Sequence, residues 1–443
     1  MSNESYYVAV VGAGPAGMFA ARELARAGAK VVVFNRDIKP GGLAEYGIYL
    51  DKYSMKAGLR SQFQQVLDTP GLSYFGNIVI GANGDLTLDD LRGLGFQAVL
   101  ATVGAQGTKW LGLPGEHLTG VYHAKDVVYH YNQLPPFSQK PFQFGKKVAV
   151  VGAGNVMLDI TRYLIHRMQV DEVIAVVRRG PAEVKFDKKE MEYVIHNLDQ
   201  RSLDEEIARV TPLMRAIDQD PAIARASILE ALPKAQPSNA MGRFRFEFLA
   251  SPTQMLGDAN GVVTGLEVED NILVRKEEEV KARGTGNKRV LPVDAVVFAI
   301  GDKVDESFGL PTQWNEFAKN PEPRFPMDGI SFEAYDPLTR SVIPDVFVAG
   351  WSRQASTGLV GYARKDGTNG AKAVLQYLQT LQPVTPDDDA LKARLKALNK
   401  PIITQSDIRK LTEIEVAEAQ KRGLEAFRFG TNDEMIEKIM SVG

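Results

Sequence analysis

Three glycines, Gly12, Gly14 and Gly17, stand in the spacing G-x-G-x-x-G between an apolar run ending at Val11 and a helix-patterned run from Ala16 to Ala27. That spacing suits a tight turn from strand to helix. The first glycine permits the turn, the second lets the backbone approach a pyrophosphate, and the third allows close helix–sheet packing, while the helix N-terminus stabilises negative charge. A second turn of this kind, VVGAGNVMLDI, runs from Val150 to Ile160. Gly152 and Gly154 hold its first two positions, and Met157 takes the third, so this crossover is expected to stand farther from its strand. The strand that follows ends in Arg178 and Arg179, where an NAD-specific site carries an acid. Paired guanidiniums either grip a 2′-phosphate bidentately or form a solvated strand end. At the matching place after the first turn stands Asn35, an amide that can bond ribose hydroxyls without the charge-assisted strength of a carboxylate. The candidate reading of these residues is FAD at the first turn and NADPH at the second.

The elements that must position them alternate from the start. Tyr6 to Val11 and Lys30 to Phe34 read as strands flanking the helix Ala16 to Ala27, a βαβ unit on a parallel sheet. The pattern restarts at Lys147 with the strand VAVVG, the helix Asn155 to Met168 and the strand Glu172 to Val177. Charged, helical sequence follows from Asp199 to Ala240, and RFRFEFLASP, GVVTGLEVED and VLPVDAVVFAIG return the chain to strands. PDVFVAGW, from Pro344, is one more buried strand, with a helix from about Gly358 to Leu378 after it, a linker at Pro383 to Asp389, and amphipathic helices to the end. If PDVFVAG joins the first sheet, the second dinucleotide unit is an insertion in the first. The expected fold class is α/β, with two Rossmann-like dinucleotide-binding domains, one inserted in the other.

Composition narrows the chemistry. The 443 residues, 44% hydrophobic and 24% charged, suffice for two or three cores at about 150 residues per domain. A formal charge of -3 gives no general pull toward nucleic acid or an anionic membrane. No window of about 18 residues is uninterruptedly apolar, and the N-terminus shows no leader pattern, so a cytoplasmic enzyme without a membrane span is expected. With no cysteine, the chain has no disulfide, no CxxC pair and no cysteine-ligated cluster, so redox chemistry needs a bound cofactor. The five histidines, between His117 and His196, show no ligand spacing such as HExxH, and no metal is expected.

The order of motifs along the chain resembles the adrenodoxin reductase-like ferredoxin-NADP reductases, flavoproteins of the glutathione reductase superfamily. The likeness is carried by GLAEYG at Gly42 to Gly47, TVGAQGTKWLGLPGE at Thr102 to Glu116, VVGAGNVMLDITRYL, and VRRGPAEVKFDKKE at Val177 to Glu190. It continues with FRFEFLASP at Phe244 to Pro252, AGWSRQASTGLVG at Ala349 to Gly361, and the tail IITQSDIRKLTEIEVAEAQKRG. The resemblance implies an FAD domain of roughly residues 1–106 plus 331–443, with an NADP domain, 107–330, inserted. It places FAD along Gly12, Gly14, Ala16, Gly17, Asn35, Leu43, Ile80, Trp351, Gly358, Leu359 and Val360. It places NADP along Lys109, Gly152, Ala153, Gly154, Asn155, Val156, Arg178, Arg179 and Glu190, with Gly358 near both cofactors. Trp351 either packs flat near the flavin ring or belongs to the core.

Two stretches depart from that family. Its Arg-x-Gly-Val-Ala-Pro-Asp-His appears here as Glu45, Tyr46, Gly47, Ile48, Tyr49, Leu50, Asp51 and Lys52, and its Arg-Gly-Pro before Thr-Gly as Gln354, Ala355 and Ser356. Asp51 and Lys52 are the candidates for catalytic proton or electrostatic roles beside the flavin, or else form a structural salt bridge. Hydride transfer between nicotinamide and flavin needs no protein nucleophile or metal, only stacked rings. The expected reaction passes electrons from NADPH through FAD to a ferredoxin-like iron–sulphur protein or flavodoxin. A quinone or other small-molecule acceptor, and a non-catalytic flavoprotein subunit or nucleotide sensor, are the alternatives.

Overall fold

The computed structural model describes residues 4–277, 279–356 and 358–441. Its contacts divide the chain into two compact units: Met1–Thr108, Tyr129–Gln139 and Gly301–Gly443 form one, and Lys109–Val128 with Lys140–Ile300 the other.

The first unit starts with β1 (Tyr7–Val11), α1 (Pro15–Arg26), β2 (Lys30–Phe34), α2 (Leu43–Tyr46), α3 (Tyr53–Leu67), β3 (Leu72–Gly76) and β4 (Ala98–Ala101). The second unit supplies β5 (Val121–His123), β6 (Lys147–Val151), α4 (Asn155–His166), β7 (Glu172–Val177), β8 (Arg243–Phe248), β9 (Ala250–Gly257), β10 (Val263–Lys276), β11 (Glu279–Pro292) and β12 (Ala295–Phe298). The chain then returns with β13 (Glu333–Asp336), β14 (Ser341–Val348), α5 (Val360–Leu378), β15 (Ile403–Thr404) and α6 (Gln405–Arg422).

In the first unit the sheet order is β13-β14-β4-β1-β2-β3-β15. The late strand β14 lies parallel to β4, pairing Val346 with Val99 and Val348 with Ala101, so the second unit is inserted between neighbouring strands of the first sheet. Every residue of β1 is buried, and its period of two divides them between the sheet faces. Val8 and Val10 pack with Phe19, Leu24, Ala371 and Val374. Tyr7, Ala9 and Val11 pack on the other face with Phe34, Phe96, Val346 and Val348. Val304, Phe308, Leu310 and Phe317 join that second face. They explain why the first unit resumes at Gly301, thirty residues before the expected 331: their burial needs the first core.

The second unit holds a five-stranded parallel sheet, β5-β12-β6-β7-β8, and a separate antiparallel sheet, β9-β10-β11. Strands β10 and β11 are 14 residues each, a long hairpin. No helix among the described residues is long and apolar enough to cross a membrane, and no group of His, Cys, Asp and Glu there is placed to hold a metal ion.

Candidate functional site

Both glycine turns are built alike, each against the end of a neighbouring strand. Gly12 takes φ +103°, and a Cβ there would come 2.6 Å from the Thr102 carbonyl oxygen, just beyond β4. Gly152, at φ +149°, would overlap the carbonyl oxygen of Ala299, just beyond β12. A side chain at either place is excluded both by conformation and by the backbone alongside. The second glycines are the reverse case: a Cβ on Gly14 or on Gly154 meets nothing within 4 Å. These residues are the N-caps of α1 and α4, and neither helix start has a side-chain cap. Uncapped N–H groups beside open space are what a pyrophosphate requires. The turns diverge at the third position. A Cβ on Gly17 would overlap the Gly12 carbonyl oxygen, so α1 lies hard against its turn, whereas Met157 is fully buried and α4 must leave room for it.

Several further elements converge on the first turn. The Gly41 N–H donates to the Ala13 carbonyl at 2.7 Å, and a Cβ on Gly42 would lie 3.1 Å from Gly14 Cα, which brings the start of α2 and Leu43 alongside. Ala16 is buried, and Gly350, the neighbour of Trp351, would touch its methyl at 2.6 Å if it bore a Cβ. Gly367 of α5 lies against the Ala16 carbonyl, which positions that helix; Gly358 and Leu359, which lead into it, are exposed. Ile80 lies beyond β3, buried in the Phe34 face of the sheet.

Asn35 is 7% exposed and heavily engaged. Its Nδ2 donates to the carbonyls of Asp37 at 2.9 Å and Lys39 at 3.0 Å, and its Oδ1 accepts from Ala13 N–H at 3.1 Å. The amide therefore fastens the loop after β2 to the glycine turn. Its donors are spent within the protein, and only Oδ1 retains capacity for a ribose hydroxyl.

In the second unit, Asn155 clamps the loop that follows Arg179. Its Nδ2 donates to Asp187 Oδ2 at 2.7 Å, its Oδ1 accepts from Asp187 N–H at 2.7 Å, and Lys185 N–H donates to the Ala153 carbonyl at 2.8 Å. Ala153 thus lies under that loop, Val156 is exposed on α4, and half-buried Glu190 lies in the short helix Lys188–Met191. Arg178 and Arg179 directly follow β7, and no ion pair or side-chain hydrogen bond among the described residues engages either guanidinium. Lys109 is half-buried at the start of this unit, beside Trp110, whose ring packs edge-on to His123 and Phe298.

The stretch that departs from the family contains a buried charge cluster that sequence reading did not anticipate. Glu45, the acid in place of a base, is 2% exposed. Arg60 meets it bidentately at 2.7 Å through Nε and Nη2, Arg428 lies at 2.9 Å and Lys39 at 3.7 Å, while Lys39 also pairs with Glu415. Burial alone would push the Glu45 carboxyl up, but Lys39, Arg428 and Arg60 outweigh it and hold the group at about 2. The acid is thus absorbed by cations of the protein itself. Asp51 and Lys52 are half-buried, with Lys52 the N-cap of α3. One turn on, Lys56 is 2% exposed and donates to Asn132 Oδ1 at 2.6 Å, and Asn132 in turn donates to the Tyr46 and Ile48 carbonyls. Burial, and next the Arg428 charge, push the Lys56 ammonium down to about 7. The other departing stretch is tied to the segment 302–316: Ala355 N–H donates to Glu316 at 3.1 Å, and Ser356 Oγ accepts from Asp302 N–H at 2.9 Å.

Comparison with known proteins agrees with this geometry. Residues 6–208 match the family described as pyridine nucleotide-disulphide oxidoreductase. The chain is 28% identical to the Mycobacterium tuberculosis NADPH-ferredoxin reductase FprA, over 84% of each chain. It is also 28% identical to the human mitochondrial NADPH:adrenodoxin oxidoreductase, over 94% of this chain and 88% of that one. The solved structure of Mycobacterium tuberculosis FprA in complex with NADPH shares the fold with a TM-score of 0.80 at 24% identity, over 98% of this chain and 100% of its own. Over most of its length the chain is thus similar to NADPH-ferredoxin and NADPH:adrenodoxin reductases, and its residues 6–208 match the pyridine nucleotide-disulphide oxidoreductase family.

Proposed function

We propose that this protein is an FAD-dependent reductase that passes electrons from NADPH to a ferredoxin-like iron–sulphur protein or flavodoxin, with FAD at the Gly12–Gly17 turn and NADPH at the Gly152–Val156 turn. The observation that carries the reading is the pair of helix starts with vacant second glycines, Gly14 and Gly154, one of them followed by two arginines whose guanidiniums engage no ion pair or side-chain hydrogen bond among the described residues. Bound flavin would supply the conversion of a hydride, an electron pair, into single electrons, which a chain without cysteine lacks groups to do. The protein's share is binding and orientation. The N–H groups at the starts of α1 and α4 hold the two pyrophosphates, and Asn35 Oδ1 meets the flavin-side ribose. Leu43, Ile80, Trp351 and the Gly358–Val360 turn line the rest of the flavin seat. Asn155 fixes the loop toward Glu190, and Arg178 and Arg179 read the 2′-phosphate. Asp51 and Lys52, at the start of α3, serve as proton or electrostatic partners on the flavin side. On this reading the unit spanning 1–106 and the C-terminal return is the FAD domain and the inserted unit the NADP domain. A cytoplasmic setting, where NADPH is available, goes with it.

The purified protein should be yellow and should bleach when NADPH is added without oxygen. A colourless protein that takes up no flavin, or a yellow one that NADPH does not bleach, would defeat the proposal. Arg178→Ala should weaken NADPH binding by about 30-fold and NADH binding by less than about threefold, the worth of one charge-assisted bidentate contact. Equal losses for both nucleotides would show that Arg178 does not read the 2′-phosphate.

A further inference from the structure

The hairpin of β10 and β11 is anchored beside the arginine pair. Buried Asn271, in β10, donates through Nδ2 to the Arg178 carbonyl at 2.9 Å and to Ser251 Oγ at 2.9 Å. Its own N–H donates to the Leu249 carbonyl, and Leu249 N–H donates to the Arg179 carbonyl. The middle of β10 is thereby fixed to the backbone of both arginines. Toward the turn of the hairpin, β11 begins beside Arg178 and Arg179, and an open cleft of about 480 Å³ is lined by the arginines and by Glu279, Val280, Lys281 and Ala282. Within the cleft, Lys281 pairs with Glu279 at 3.1 Å. Both side chains of that pair are more than half exposed, so the pair is weak and readily exchanged.

We propose that Lys281 is the third cation of the 2′-phosphate seat and that Glu279 is its counter-ion until the nucleotide arrives. This rests on the reading of Arg178 and Arg179 given above. Three cations without an acid would repel one another at an exposed site, and Glu279 offsets that repulsion. A 2′-phosphate, carrying about two negative charges near neutral pH, is the stronger partner for Lys281 and displaces the carboxylate, which then opposes the phosphate from across the cleft. The hairpin therefore sets the preference between NADP and NAD through two residues of opposite sign. Lys281 favours the phosphorylated nucleotide and Glu279 tempers it.

Calorimetric titration of the flavin-loaded protein with NADP⁺ and with NAD⁺, at low and high salt, separates the contributions without relying on turnover. Lys281→Met should weaken NADP⁺ by about fivefold to tenfold, leave NAD⁺ within about twofold, and make the salt dependence of NADP⁺ binding shallower, while Lys281→Arg keeps native behaviour. Glu279→Gln should act oppositely and tighten NADP⁺ by about twofold to threefold. If Arg178→Ala weakens NADP⁺ selectively but Lys281→Met changes neither affinity nor salt dependence, the hairpin has no part in recognition and the proposal falls. If neither substitution discriminates between the nucleotides, the 2′-phosphate site itself lies elsewhere, and both readings fall.

Discussion

Gly17→Ala is expected to cost the protein both its flavin and much of the stability of its first unit. The added methyl would overlap the Gly12 carbonyl oxygen and the Thr102 hydroxyl, and neither can retreat. Thr102 Oγ1 donates to the carbonyls of Gly12 at 2.8 Å and Val11 at 3.0 Å, which locks the end of β1 to the end of β4. Helix α1 is held from its other side, where Gly350 and Gly367 close on Ala16. Relief requires moving α1 off the sheet, a strain of about 3 kcal/mol or more, which lowers the thermal midpoint by roughly 5–10 °C. Gly14→Ala is the informative partner. Its φ of -75° is ordinary for alanine and its Cβ direction is open, so the flavin-free protein should keep its midpoint within a degree or two. The methyl nonetheless occupies the space that a pyrophosphate needs, so the ratio of flavin to protein absorbance should fall by about tenfold or more. A Gly14→Ala protein purified with full flavin content would remove the first turn from the cofactor site. A Gly17→Ala protein with a native midpoint would show that the turn and α1 are not packed as described.

These two glycines illustrate which parts were legible from the sequence. Their roles depend on residues within one βαβ unit, where spacing alone constrains geometry, and the strands Lys30–Phe34 and Glu172–Val177 are observed with the expected bounds. The return of PDVFVAG to the first sheet was also readable, as a buried β-branched run looking for a sheet. The hairpin of β10 and β11 was not legible as a whole. Much of β11 is exposed on both faces, and the alternation of apolar and polar residues that marks a half-buried strand breaks off after Arg283, in the polar, glycine-containing run 284–289. Without that hairpin, Glu279 and Lys281 had no evident relation to Arg178, about a hundred positions earlier. Asn35 was read as a weakened ribose ligand; its bonds to Asp37, Lys39 and Ala13 add a role in holding the turn that no local pattern signals. Glu45 is the extreme case. Its cations come from the same loop, from α3 and from Arg428 near the far end of the chain, so the acid looked like a loss at the cofactor site when it is the centre of a buried ion cluster.

That cluster makes Glu45→Gln the other substitution with a large expected effect, and its pH dependence distinguishes charge from packing. Glutamine keeps the shape but removes the negative charge, leaving Arg428 and Lys39, 11% and 8% exposed at their side chains, with Glu415 as the remaining carboxylate of the cluster. Removing one member of a buried ion cluster typically costs about 3–5 kcal/mol, because the remaining charges stay desolvated. The folded-state carboxyl titrates at about 2, below its ordinary value of 4.5, so between those limits the unfolded chain binds a proton that the folded chain refuses. The contribution of Glu45 is therefore complete above about pH 4.5 and is lost as the pH falls toward 2. Urea unfolding of the two proteins should show the full gap at pH 7 and a narrowing one from pH 4.5 downward, because protonated Glu45 is as neutral as the glutamine that replaces it. Arg428→Met combined with Glu45→Gln should recover part of the loss at pH 7, since it removes an orphaned cation along with its anion. A gap that stays constant down to pH 2.5, or a double variant no better than the single one, would mean that Glu45 contributes through its shape and not through its charge.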